Sequence, residues 1–203
     1  MVIISIEGNI GVGKTTLINQ LEVIFKDRNP TIILEPIDEW QQWLHDMYTD
    51  PKRWSFFFNL KVLLTLSSWF PRGQPAASPG DITITERSPL ACRYVFSRVQ
   101  HERQEMTDKE LTLLDEAHDA LGWEPDVVIY LRDEPCRCVE RMRQRGRSSE
   151  EGVNLDYVEG VHAKYEELFK AAFKKKVIIV DVAHRTPIEI AQDVSDKIIA
   201  EGL

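Results

Sequence analysis

The sequence is poor in the features that mark several protein classes. Three cysteines, Cys92, Cys136 and Cys138, are an odd number, and Cys136-x-Cys138 has no second cysteine pair to complete a metal site. Ordinary reduced thiols are the reading. No apolar run approaches the roughly 20 residues of a membrane-spanning helix, so no membrane partner is expected. Basic residues are outnumbered, 25 Lys and Arg against 33 Asp and Glu, for a net charge of −8. That balance argues against a nucleic-acid polymer as partner, which would call for a basic field. The guanine-reading string Asn-Lys-x-Asp is missing, which counts against a GTPase-like switch. No internal repeat, low-complexity tail or linker interrupts the chain, so one domain over residues 1–203 is expected. The first β-branched run begins at residue 2 and leaves no space for a targeting segment within this sequence, which predicts a cytoplasmic location.

What the sequence does have is concentrated at its start. In "IEGNIGVGKTT", Gly8 is followed after four residues by Gly13-Lys14-Thr15. This is the phosphate-loop spacing. Gly8, Gly11 and Gly13 allow the backbone to curl so that N–H groups of Asn9, Ile10, Gly11, Val12, Gly13, Lys14, Thr15 and Thr16 surround an anion. A helix from about Lys14 to Arg28 aims the positive end of its dipole at the same point. Lys14 adds a full charge for the β- and γ-phosphates, and Thr15 offers a hydroxyl to Mg²⁺. "VIISIE" before the loop reads as a buried strand. After it, Leu17, Leu21, Ile24 and Phe25 form one helical face. The bound anion is therefore a nucleoside triphosphate.

Five β-branched runs, 2–7, 31–35, 82–86, 126–131 and 177–181, alternate with helical stretches. They predict an α/β fold: a five-stranded parallel sheet, its strands buried on both faces, flanked by helices. Asp50-Pro51 reads as a cap and first-turn proline. Thr107 with Glu110 and Thr186 with Glu189 read as capping boxes. "PRGQPAASPG", 71–80, reads as a surface loop.

Ligands of open parallel sheets sit beyond the carboxyl ends of the strands. Glu35 is placed there by the second strand, Glu86 and Arg87 by the third, and Asp181 by the fifth as a solvated terminus. A carboxylate aimed at a γ-phosphate is useful when a hydroxyl between them must lose its proton, so Glu35 is the candidate base and points to a nucleoside acceptor. Glu86 is a candidate Mg²⁺ partner through water, and Arg87 can pin Glu35 or stabilise charge near the acceptor hydroxyl. Arg141, Arg143, Arg145 and Arg147 crowd the end of a helix near Gly146. So many guanidiniums are tolerable if triphosphate oxygens neutralise them, which predicts an arginine lid over about 141–152. On the helix 51–70, Phe56, Asn59, Leu63, Leu66 and Phe70 share a face. Asn59 is the polar exception, suited to a nucleobase edge, with Phe58 and Phe96 available to pack on the base.

Together "GNIGVGKTT", "EPIDEW", "YTDPKRWSFFFN", "ERSPLACRYVF" and "RMRQRGRSSEEGVNLDY" resemble, in order and over about residues 2–181, the deoxyribonucleoside kinase family, the group that contains deoxycytidine, deoxyguanosine and mitochondrial-type thymidine kinases. The resemblance implies the P-loop kinase fold, ATP with Mg²⁺, and transfer of the γ-phosphate to the 5′-hydroxyl of a deoxynucleoside. It makes Glu35 the base and Arg87 its partner, with Tyr48 and Glu150 on the sugar 3′-hydroxyl. Trp40, Phe58 and Phe96 would line the base pocket, and Arg141, Arg145 and Arg147 the lid. It also implies a homodimer, for which the helices 51–70 and 107–121 are the natural surfaces. The family pattern usually has Gln where Asn59 stands. Leu66 and Cys92 replace an Arg and an Asp of deoxycytidine kinase-like members, so the pocket is closer to pyrimidine-preferring and multisubstrate ones, with thymidine and deoxycytidine as expected substrates. The alternatives are a thymidylate kinase, which would need a cationic socket for an acceptor phosphate, and a non-catalytic nucleotide-binding regulator.

Overall fold

A computed structural model describes residues 2–70, 82–170 and 175–202. The segment 71–80, read as a surface loop, lies outside the described residues. Five parallel strands form one sheet: β1 (Val2–Gly8), β2 (Thr31–Ile33), β3 (Ile82–Glu86), β4 (Val127–Arg132) and β5 (Lys176–Asp181), in the spatial order β2-β3-β1-β4-β5. The helices are α1 (Lys14–Ile24), α2 (Ile37–Thr49), α3 (Pro51–Trp69), α4 (Pro89–Ala91), α5 (Ser97–Glu102), α6 (Asp108–Leu121), α7 (Pro135–Arg145), α8 (Leu155–Lys170) and α9 (Pro187–Ala200). Parallel strands require crossovers, and helices supply them here. Among the described residues no helix is long and apolar enough to cross a membrane.

Ile4 and Ile6 of β1, Ile84 of β3 and Ile129 of β4 are fully buried, and they pack with Leu17, Ile18 and Leu21 of α1. The three inner strands match the expectation of burial on both faces. The outer two do not: Thr31 is exposed and Ile179 is 40% exposed, because each of these strands has a neighbour on one side only. The second strand stops at Ile33 rather than residue 35. Past it the backbone turns into α2, with Ile37 N–H donating to Glu35 C=O, and Pro36 has no N–H to continue a ladder. The first helix is also shorter than expected, and its buried face uses Ile18 in place of Ile24, which is 39% exposed.

Both capping boxes form, Thr107 with Glu110 and Thr186 with Glu189. Asp50 occupies the N-cap of α3 with Pro51 behind it, but its side chain makes no capping bond. Between α4 and α5 the chain takes a π-helical turn, Cys92–Phe96. The wider turn inserts an extra residue into the helical register. Asp181 is paired to Arg132 through two hydrogen bonds of 2.6 and 2.9 Å rather than simply solvated.

Candidate active site

The phosphate loop runs from β1 to α1. Gly11, at φ 77°, approaches the backbone of α7 so closely that a Cβ there would collide with the Cys138 carbonyl. Gly13, at φ 109°, caps α1 in a conformation that disfavours a side chain. Lys14 folds back over the loop, Nζ donating to the carbonyls of Asn9 at 3.0 Å and Gly8 at 3.4 Å. Burial, reinforced by the Arg87 guanidinium, lowers its pKa to about 8. Val12 turns its side chain into the core. The Asn9 side chain ties the loop to α8 by donating to Val158 C=O at 2.8 Å. Neither side chain lines the cavity, and nor does Gly8, so these positions have only backbone groups to offer a phosphate.

Thr15 Oγ1 donates to Glu86 Oε1 at 2.7 Å. A hydroxyl beside a strand-end carboxylate is an all-oxygen pair, the donor chemistry Mg²⁺ prefers when phosphates complete its shell.

Next to them stands an ion pair. Arg87 Nε lies 2.8 Å from Glu35 Oε1, with side chains 6% and 11% exposed. Arg87 has a left-handed backbone, φ 66°, rare for a non-glycine residue. Its N–H donates to Ile6 C=O at 3.1 Å and its Nη1 to Gly8 C=O at 2.8 Å. The same Nη1 donates to the Tyr165 hydroxyl, which in turn donates to Glu7 at 3.0 Å. Ser5 and Ser88 also donate to Glu7, at 2.8 and 2.6 Å. The guanidinium sits over the Phe96 ring, 4.7 Å from its centre. Burial alone would disfavour its charge, but Tyr165, Glu35, Glu7 and Glu86 hold it well above the ordinary arginine value. Burial raises the Glu35 pKa, partly opposed by Arg87 and reinforced by Glu86. A carboxylate so placed is a stronger base than one in water.

These groups open onto one cavity of about 460 Å³. Its walls include Ile10, Gly11, Gly13, Lys14, Thr15, Thr16, Glu35, Trp40, Tyr48, Phe58, Asn59, Leu66, Glu86, Arg87, Cys92, Phe96, Arg141, Arg145, Arg147 and Glu150. Residues far apart along the chain thus meet in one place. The π-turn brings Cys92 and Phe96 to the same wall. Burial raises the Cys92 thiol to about 12, so it stays protonated. Trp40 meets Phe58 edge to face, with ring centres 6.3 Å apart. Asn59 does not stand free, since its amide donates to Ser55 C=O at 2.8 Å and to Gln100.

Of the predicted arginine cluster, Arg141, Arg145 and Arg147 are paired to acids within the protein. Buried Asp133 accepts from Arg137 and Arg141, and Glu150 accepts from Arg145 through both oxygens at 2.6 Å, with Arg147 at 3.5 Å. α7 ends at Gly146, φ 64°. Met47, Val62, Gln100 and Tyr157 also line the cavity, and Glu7 and Tyr165 anchor Arg87 from behind. Sequence reasoning missed all six. The acid that closes the apolar β1 run, Glu7, is the signal the sequence offers.

A family model described as deoxynucleoside kinase matches residues 4–201. The chain belongs to the deoxynucleoside kinase family. Members of this family are ATP-dependent phosphotransferases. Bovine (Bos taurus) deoxycytidine kinase is 30% identical, over 96% of this chain and 85% of its own. Mitochondrial deoxyguanosine kinase of Xenopus laevis is 32% identical, over 80% and 71%. Human (Homo sapiens) mitochondrial thymidine kinase 2 is 28% identical, over 97% and 77%. Kinases named for three different bases are thus about equally similar to this deoxynucleoside kinase, so overall identity does not rank the bases. The lining of the cavity has to.

Proposed function

We propose that this deoxynucleoside kinase transfers the γ-phosphate of ATP to the 5′-hydroxyl of thymidine and deoxycytidine, giving 5′-monophosphates for nucleotide salvage. The observation that supports it most is the Glu35–Arg87 pair at 2.8 Å on the wall of the cavity that Lys14 also lines. Glu35 takes the proton as the alcohol oxygen bonds to the γ-phosphorus, and the bond from that phosphorus to the β-bridging oxygen breaks to release ADP. Arg87 holds Glu35 in place. Lys14 neutralises charge on the β- and γ-phosphates. Thr15 and Glu86 would hold Mg²⁺, which screens the phosphate charge when bound. Arg141, Arg145 and Arg147 would exchange Asp133 and Glu150 for triphosphate oxygens as they close in a lid, which frees Glu150 to hold the 3′-hydroxyl with Tyr48.

For the base, Trp40, Phe58 and Phe96 supply apolar faces. Leu66 and Cys92 leave an uncharged pocket with space for a 5-methyl group. An acceptor phosphate would find Arg87 already engaged by Glu35, which disfavours a thymidylate kinase. One domain carries these parts, and it works as a homodimer through α3 and α6, whose outer faces expose Phe57, Leu64 and Leu113. Glu35→Gln is expected to keep nucleoside and ATP binding while turnover falls about 10²-fold or more. In the wild type kcat falls as pH drops through the raised Glu35 pKa, because protonation removes the base. An acid limb that persists unchanged in a still-active Glu35→Gln would refute the assignment.

A further inference from the structure

Gln100 is 1% exposed, lies on α5, and borders the cavity beside Asn59, yet it belongs to none of the motifs that carry the family resemblance. Its Oε1 accepts a hydrogen bond from Asn59 Nδ2, whose other hydrogen goes to the Ser55 carbonyl at 2.8 Å. Both N–H groups of the Asn59 amide are therefore spent. What remains of that side chain is Oδ1, which among the described residues meets the Cys92 thiol at 3.6 Å, a thiol that lies nearer the Asn59 backbone carbonyl at 3.3 Å. An amide rotated by half a turn would set Oδ1 against both the Ser55 carbonyl and Gln100 Oε1, oxygen facing oxygen, so the two acceptors together pin the orientation and removing Gln100 loosens it. Gln100 is itself held, its Nε2 donating to Met47 Sδ at 3.1 Å.

We infer that Gln100 is a positioning residue that locks Asn59 as a hydrogen-bond acceptor and so selects a base carrying a ring N–H. The inference rests on the deoxynucleoside kinase reading and narrows it. Thymine and uracil present N3–H to an acceptor. Cytosine presents a bare N3 lone pair, which Oδ1 repels. A freely turning amide serves both, whereas a locked one serves the imide. Buried polar groups left unpaired make such discrimination steep.

The test compares deoxyuridine with deoxycytidine, which removes the 5-methyl group from the question. Wild-type kcat/KM should favour deoxyuridine by about tenfold or more. In Gln100→Leu that ratio should fall toward unity, mainly through KM for deoxyuridine, with KM for ATP unchanged. A ratio unchanged in a folded Gln100→Leu overturns the role of Gln100. If that variant does not fold, the wild type alone decides, and equal use of the two nucleosides overturns the inference while leaving the kinase reading intact. Turnover of no deoxynucleoside at all overturns both.

Discussion

Lys14 meets two opposed demands. In the proposed reaction it must be charged to hold a triphosphate, yet burial and Arg87 bring its pKa down to about 8. Below that value the ammonium is present when ATP arrives. Above it, binding must first recruit a proton, so ATP affinity is expected to fall by about tenfold per pH unit until the pKa of the complex is reached. A KM for ATP measured from pH 7 to 10 checks this, and a flat profile would show that the lysine stays charged. Arg87 has the opposite problem. Its charge is secure, and its geometry depends on a left-handed backbone and on Glu35, Gly8 and Tyr165.

At the scale of elements, local rules carried far. The phosphate loop, both capping boxes and the inner strands were legible because each depends on neighbours within a few residues. Thr107→Ala should therefore cost about 1 kcal/mol of stability by denaturant titration, through loss of the α6 cap, with activity per folded molecule preserved. The ends of β2 and α1 were less legible, since sheet edge and packing decide them. The π-turn left no trace in the apolar pattern. The lining of the cavity was legible where a residue's chemistry is odd for its place, as with Glu35 or Asn59. It was illegible where a polar atom acts through a partner far along the chain. Gln100 reaches Asn59 across 41 residues, and Tyr165 reaches Arg87 across 78. No spacing rule connects such pairs.

For the molecule as a whole, the exposed apolar residues of α3 and α6 bear on assembly. Light scattering after gel filtration should give the mass of a dimer, and Leu64→Glu should shift it toward the monomer while leaving the cavity intact; a wild-type monomer would refute the assignment. The strand order has a separate consequence. β3 stands between β1 and β2, so the strand feeding the phosphate loop cannot pair with the next one synthesised. On the ribosome, β1 has no ladder to join until residues 82–86 emerge, and no second flank until 127–132 follow. A nascent chain cut short before that point holds the glycine loop but has no sheet to mount it on, so the loop's support is a late product of folding although the loop precedes most of the sheet in the sequence.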